Sequence, residues 1–426
     1  MSFKKTELGN IPIEWGVETI ENVLEEIIDY RGKTPKKANE GIETLSAKSV
    51  KNGYIDYSNA YYISPKTYKE FMVRGFPKKD DILLTTEAPL GNVAKLNKDN
   101  VAIAQRLLTL RGKENYMTNE YLMYYLMSVI GQHQLHSRAT GTTVTGIKQS
   151  EFRKIFITVP TFHEQKSIAN ILSSLDEKIE TNNQINKKLE EMAQAIYKQW
   201  FVDFEFPNED GEPYKSSGGA MVESELGMIP EGWECSKATD QFIVQSGGTP
   251  KTSVTEYWNG EIPFFTPKDS HVPSVFVIDT EKNITQEGLS KCNSKLYDAG
   301  TVFITARGTV GQVAMAGRKM AMNQSCYALV PNDGFTYNYV YFLTLHLVKI
   351  LKMNASGSVF NAITVSTFAN IKTIMPSRAV VRKFDVIIKS LFSLILNNAN
   401  ENKQLRIMRD TLLPKLMSGE VRVPIK

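Results

Sequence analysis

Leu8-Gly9-Asn10-Ile11-Pro12-Ile13-Glu14-Trp15 returns later in the chain as Leu226-Gly227-Met228-Ile229-Pro230-Glu231-Gly232-Trp233, a shift of 218. Further pairs keep the same order: Thr34-Pro35-Lys36 with Thr249-Pro250-Lys251, Gly91-Asn92-Val93-Ala94 with Gly311-Gln312-Val313-Ala314, and Ser150-Glu151-Phe152 with Ser366-Thr367-Phe368. Ordered self-similarity at a nearly constant shift marks an internal duplication. From Ile147 and Ile363 onward the shift settles at 216, so the 426 residues hold one unit used twice. A single hydrophobic core stops growing at roughly 250–300 residues, so a chain of this length must divide, and the repeat says where. A duplicated chain approximates a dimer in one polypeptide, with a pseudo-two-fold axis.

Each copy has two parts. The first, residues 1–160 and 226–376, alternates short β-branched or aromatic runs with turns marked by Gly and Pro. Asp81-Ile82-Leu83-Leu84-Thr85-Thr86 and Thr301-Val302-Phe303-Ile304-Thr305 are such runs, and 119–130 reads as a helix. The second part, 161–204 and 377–419, is one long helix per copy. Every 3.5 residues the first gives Ile168, Leu172, Leu175, Ile179, Asn182, Asn186, Leu189, Ala193, Ile196 and Trp200. The second gives Phe384, Ile388, Leu391, Ile395, Asn398, Asn402, Leu405, Arg409, Leu412 and Leu416. A heptad sustained this long is a coiled-coil seam, and about 37 residues at ~1.5 Å each make a rod of ~55 Å. Thr161 with Glu164 forms a capping box at its start, and Pro414 restricts the end of the second helix. Residues 205–225 read as a linker and 420–426 as a tail.

A two-fold axis perpendicular to the helices makes them antiparallel, so an a position faces a d position. Asn182 then lies opposite Asn402 and Asn186 opposite Asn398, a polar cluster that fixes register at a cost in stability. The same residues facing solvent in a frayed coil is the other reading. The expected fold is therefore α+β: two strand-rich globular domains in tandem, separated by two long helices in an antiparallel coiled coil with pseudo-two-fold symmetry.

The composition, 42% hydrophobic and 23% charged, is that of a folded globular chain and excludes collagen-like, disulfide-scaffold and disordered classes. No apolar run approaches the ~18 residues of a membrane span, since even 339–351 is interrupted by Thr344, His346 and Lys349. Three widely spaced cysteines, Cys235, Cys292 and Cys326, make no disulfide framework, and a cytoplasmic protein is expected. Net charge is only +4, but its distribution repeats. Residues 1–30 hold two lysines against seven acids, and 31–163 hold twenty Lys and Arg against eleven acids. Residues 201–240 hold two lysines against ten acids, and 241–381 twelve Lys and Arg against eight. Two basic bodies suit a polyanion, although charge alone is equally consistent with a mixed solvated surface.

Catalytic patterns are missing. Gly32-Lys33-Thr34 ends like a phosphate-binding loop, but position 27 is Ile where that loop needs Gly. His133 and His136 have no second ligand pair at metal-site spacing. No catalytic residue and no metal ligand is assigned, and the chain reads as a reader, not a catalyst.

The Leu-Gly-x-Ile-Pro-x-x-Trp openings, the Pro160-x-x-x-Glu164-Gln165-x-x-Ile168 helix start, the Trp200-Phe201-Val202-Asp203-Phe204 close and the terminal Leu412-Leu413-Pro414-Lys415-Leu416-Met417-Ser418-Gly419-Glu420 carry a resemblance. Together they resemble the specificity subunit of a type I restriction-modification system, over essentially the whole chain. The resemblance implies two target-recognition domains, each reading one half of a bipartite, asymmetric double-stranded DNA sequence, with the two helices as a ruler. It implies partners that hold the chemistry: methyltransferase subunits, two of them, using S-adenosylmethionine, and translocase-nuclease subunits using ATP and Mg. This chain itself takes no cofactor on that reading. Val380-Val381 stands where the first copy has Glu164-Gln165, so the two helix starts are expected to dock methyltransferase subunits differently.

DNA contacts are expected on basic and hydroxyl-rich loops, since Arg and Lys reach phosphates and guanine edges while Thr, Ser, Asn and Gln position or read bases. The first domain offers Arg31, Lys33, Thr34, Lys36, Lys37, Arg106, Arg138, Thr140, Thr142, Thr143 and Lys148. The second offers Thr249, Lys251, Lys268, Arg307, Arg318, Lys352, Ser356 and Ser358. A stand-alone methyltransferase or nuclease with diverged motifs is the rival from the enzyme class. A coiled-coil scaffold that binds protein is the rival from the structural class, and the basic bodies argue against it.

Overall fold

The computed structural model describes residues 2–30, 32–271, 274–354 and 362–424, which leaves Arg31, Ser356 and Ser358 outside the described residues. The chain divides into two compact units, Met1–Ile179 with Gln404–Lys426 and Glu180–Lys403. Both long helices, Phe162–Phe201 and Arg378–Met417, are 40 residues long and contribute to both units.

The first unit opens on an antiparallel hairpin, Phe3–Thr6 with Gly9–Pro12. Gly16–Thr19 then pairs with Phe156–Val159, closing the unit across most of its length. Between them a four-stranded sheet runs in the order Leu24–Asp29, Leu107–Gly112, Ile82–Thr86, Leu90–Lys95. A smaller sheet sets Ile42–Leu45 parallel to Ala102–Ile103 and antiparallel to Tyr61–Ile63. The helix expected over 119–130 stops at Met127 and a second, Val129–Ser137, follows. Ser128 breaks it, because its backbone is extended and its hydroxyl caps the next helix by accepting from the Gly131 amide at 3.2 Å.

The second unit repeats this plan. Met221–Ser224 pairs with Gly227–Pro230, and Glu234–Lys237 with Lys372–Met375. Its main sheet runs Phe242–Ser246, Cys326–Pro331, Val302–Thr305, Val313–Ala316, with Phe276–Val277 added at the edge. Trp258–Phe265 lies parallel to Ala321–Met322, as Ile42–Leu45 does to Ala102–Ile103. The stretch expected as a linker is structured. Phe206 stacks on Tyr214 at 4.6 Å and on Trp233 at 5.1 Å, and the hairpin begins at Met221. Buried Cys326 sits in an apolar cluster, where burial pushes its thiol up.

Within each unit the helices pair antiparallel. In the second, Asn182 Nδ2 donates to Asn402 Oδ1 at 2.9 Å and Asn398 Nδ2 to Asn186 Oδ1 at 2.8 Å. Asn182 Nδ2 also reaches Glu401 Oε2 at 2.8 Å, while Asn182 Oδ1 is buried with no partner. In the first, Arg409 occupies a seam position and is neutralised by Asp176, 2.7 Å away. The second helix runs three residues past Pro414, with the Ser418 amide donating to the Pro414 carbonyl at 3.0 Å. Proline in the last turn forfeits one backbone bond without ending the helix.

The helix starts differ in a way the capping-box reading missed. Thr161 does accept from the Glu164 amide at 3.3 Å, but the Glu164 carboxylate turns inward. It is 1% exposed, accepts from Trp15 Nε1 at 2.9 Å and takes Arg422 Nε at 2.7 Å. Gln165, fully buried, bonds the Tyr116 and Pro160 carbonyls and the Thr118 amide. Both side chains satisfy buried polar groups of their own unit. In the described part of the segment read as a tail, Arg422 is in this lock and Val423 is buried in the core.

The repeat shift carries Trp15 to Trp233, Glu164 to Val380 and Phe206 to Arg422. The second unit therefore closes the same junction with Trp233, Val380 and Phe206, all in one apolar core. Removing one partner of a buried ion pair leaves the other charge unmatched, whereas a packed apolar replacement is often neutral. Arg422→Ala should destabilise the first unit by about 3 kcal/mol, and adding Glu164→Val should recover part of the loss. Thermal unfolding of both variants checks this, and a double variant less stable than Arg422→Ala contradicts it.

Candidate nucleic-acid interface

Strands Ile82–Thr86 and Leu107–Gly112 are antiparallel neighbours, and the chain leaves the first and enters the second at one rim of the sheet. There the Thr86 amide donates to the Arg106 carbonyl at 2.9 Å, and the Ile147 amide to the Thr86 carbonyl at 3.0 Å. Glu87 bridges to Gly146, which exchanges both backbone bonds with Thr140 at 2.9 and 3.0 Å. The result is a hydroxyl-rich finger, residues 140–145, exposed throughout on a buried base. Gly141 is required in it: its φ is +114° and a Cβ would lie 2.2 Å from the Val144 carbonyl oxygen.

Arg106 stands at the foot of the finger with a left-handed φ of +72° and its Nε 2.7 Å from Glu87 Oε1. Lys148 follows the finger and precedes the short helix Gln149–Phe152. Arg138 closes the helix before it, with its Nε buried and unpartnered. A hydrogen bond from Lys154, with the charges of Lys154, Arg138 and Lys148 adding, holds the Glu151 carboxyl below the usual carboxylate range.

The second unit rebuilds the same frame. The Ala306 amide donates to the Ser325 carbonyl at 2.8 Å and the Ile363 amide to the Ala306 carbonyl at 3.0 Å. The side chains differ. Arg307 occupies the place of Glu87, Ser325 that of Arg106, and Thr249 Oγ1 donates to Gln324 Oε1 beside them. Gly247 lets this loop lie against the turn, since a Cβ would be 2.1 Å from the Asn323 carbonyl oxygen. Arg307 is exposed and has no ion pair among the described residues. The counterpart of the finger, 355–361, falls outside the described residues and takes Ser356 and Ser358 with it.

Residues 12–191 and 230–406 each match the family described as the type I restriction modification DNA specificity domain. The chain belongs to this family and carries its domain twice. It is 29% identical over 99% of its length to the type I restriction enzyme MjaIX specificity subunit of Methanocaldococcus jannaschii, covering 96% of that protein. It is 27% identical over 81% of its length to the HindI specificity subunit of Haemophilus influenzae, covering 87% of it. In fold it is similar to the type I restriction-modification S subunit of M. genitalium, with a TM-score of 0.56, 20% identity and coverage of 98% and 99% of the two chains.

Among the residues expected to touch DNA, the first specificity domain gathers Arg106, Thr140, Thr142, Thr143 and Lys148 at one rim. Lys33, Thr34, Lys36 and Lys37 lie on an exposed loop whose end pairs with the small sheet through Ala38 and Tyr62, and Lys37 Nζ sits 4.9 Å from the Tyr61 ring centre. In the second specificity domain, Thr249 and Arg307 come together. Lys251 is adjacent in sequence, its carbonyl accepting from Trp258 Nε1 at 3.2 Å. Lys268 is instead paired with Glu281 at 3.2 Å and Arg318 with the Glu261 carbonyl at 3.3 Å. Lys352 lines an open cavity of about 680 Å³ with Gln312 and Lys349. Sequence reasoning passed over Glu87, Gln324 and its repeat counterpart Gln105, although both glutamines precede an equivalent strand in the two copies.

No group of three or more His, Cys, Asp and Glu among the described residues could hold a metal, and no described helix is long and apolar enough to cross a membrane. If the Lys36 loop lies on phosphate, Lys36→Ala with Lys37→Ala weakens binding to all duplexes alike. The slope of log association constant against log salt should flatten by up to about 1 per lysine. An unchanged slope in a titration from low to high salt removes the loop from the interface.

Proposed function

We propose that the chain is the non-catalytic DNA-reading subunit of a type I restriction-modification complex. Each specificity domain reads one half of a bipartite, asymmetric duplex target, and the paired helices set the spacing between the half-sites and dock two methyltransferase subunits. Translocase-nuclease subunits complete the complex. S-adenosylmethionine, ATP and Mg serve those partners alone.

One observation carries this reading: the same backbone frame occurs twice with different side chains on it, Glu87 and Arg106 in one copy and Arg307 and Ser325 in the other. Identical frames with unlike side chains suit two readers of unlike sequences, because base edges are distinguished by the donors and acceptors set against them. The family match and the names of the relatives support the assignment to restriction-modification. The polar contacts at the centre of the helix seam support a spacer with one register.

Exchanging residues 226–376 for the equivalent segment of another family member tests it. The new chain should keep one half-site of the methylated target, acquire the donor's other half-site and retain the spacer. Change in both half-sites overturns the two-reader account, and methylation or cleavage by the purified chain alone overturns the non-catalytic one.

A further inference from the structure

We propose that Arg106 is a guanine-reading side chain of the first specificity domain and that Glu87 is the positioning residue that aims it. This rests on the DNA-reading function above and adds a base identity and a mechanism to one half-site.

The argument starts from backbone strain. Arg106 holds a left-handed φ of +72°, a region that residues with a Cβ adopt at a cost. The hydrogen bond from the Thr86 amide to its carbonyl, 2.9 Å, keeps it there. Strained non-glycine residues persist where surrounding structure over-determines them, and they gather at functional sites. Its counterpart Ser325 accepts the equivalent bond yet is not among the left-handed residues, so the frame itself does not demand the strain.

The Glu87 ion pair does not account for the conformation through stability either. The two side chains are 48% and 30% exposed, and ion pairs that wet contribute little. Geometry gives the pair another use. Glu87 meets the guanidinium at Nε, 2.7 Å away, and the two terminal Nη groups have no hydrogen-bond partner among the described residues. That leaves both terminal donors available on a side chain that is half exposed. Guanine is the base whose major-groove edge offers two adjacent acceptors, O6 and N7, and a bidentate arginine is the side chain that matches them.

Glu87 is itself fixed. It bridges to Gly146 at the base of the 140–145 finger, and Gly146 leaves room for it, since a Cβ there would be 3.0 Å from the Glu87 Cβ. The backbone that carries the Glu87 carboxylate is thus tied to the base of the finger, whose hydroxyls lie at the same rim. In the second domain the carboxylate is replaced by Arg307 and the arginine by Ser325, so this guanine reader belongs to one half-site and not to the other.

The test is enrichment from random-sequence duplexes by the full-length chain, alone and with its methyltransferase subunit. The wild-type chain should enrich a bipartite motif with guanine at one position of one half-site. A bidentate contact discriminates by roughly 10- to 100-fold, and Arg106→Ala should reduce that position to near-equal use of all four bases while the other half-site stays as it was. Arg106→Lys should keep overall affinity within about threefold yet lose the guanine preference, since an ammonium supplies charge without the fork. Glu87→Gln should retain guanine with a preference weakened several-fold. Arg106→Ala that leaves every position intact overturns the proposal, as does loss of both half-sites together, which marks a merely structural role. If the wild-type chain enriches no bipartite motif, the DNA-reading function falls, and this inference with it.

Discussion

Each compact unit takes part of its core from the far end of a helix that belongs to the other repeat. The first unit contains Leu413, Leu416, Met417 and Val423 from the end of the chain, packed with Ile11, Trp15, Ile168 and Leu172. The second contains Ala193, Tyr197, Trp200, Phe201 and Phe206 from the first copy, packed with Trp233, Phe384 and Ile388. Burying a large apolar side chain contributes about 2 kcal/mol, so four of them amount to roughly 8 kcal/mol, comparable with the whole stability of a typical domain. A repeat deprived of the exchanged segment would keep little of its stability. The exchange makes the two copies a single folding problem and requires the helices to run antiparallel.

Antiparallel pairing fixes direction but not register, because a heptad seam can slip by a whole repeat. Polar contacts that fit one register only resolve this. Asn182 meets Asn402, Asn398 meets Asn186, and Asn402 also donates to Asn183 at 2.9 Å. A slip would leave these amides against leucine and isoleucine, where an unmatched polar group is expensive. The price here is visible in the buried, unpartnered Asn182 Oδ1. Asp176 with Arg409, and Glu164 with Trp15 and Arg422, add polar matches that have no counterpart at the Trp233, Val380 and Phe206 junction. The two ends of the seam are therefore chemically different, and the pairing Glu164 makes with Arg422 is unavailable to Val380 with Phe206.

Much of the architecture was legible because it rests on periodic or repeated signals. The shift of the Leu-Gly-x-Ile-Pro opening divides the chain, and the heptads set asparagine against asparagine. What failed to show was contact between residues distant in sequence. Glu164 reads as half of a capping box because Thr161 is three residues away, while the Arg422 that claims its carboxylate is 258 residues on. Residues 205–225 read as a linker because Gly, Pro, Ser and acids dominate, and only folding brings Phe206 onto Trp233. Thr249 was legible as a hydroxyl on a loop, but its partner Gln324 lies 75 residues later. Glu87 was not legible because acids repel phosphate, and only folding sets it beside Arg106. Basic residues such as Lys268, by contrast, were equally conspicuous in sequence and turn out to be engaged with acids of their own unit.

Two unlike readers held at one spacing is the central claim, and sequencing of methylated bases in host DNA, with and without the gene, tests it most directly. The account predicts one motif that disappears with the gene: two unlike half-sites separated by a constant number of unspecified base pairs. A contiguous or palindromic motif, or half-sites at variable spacing, would contradict it.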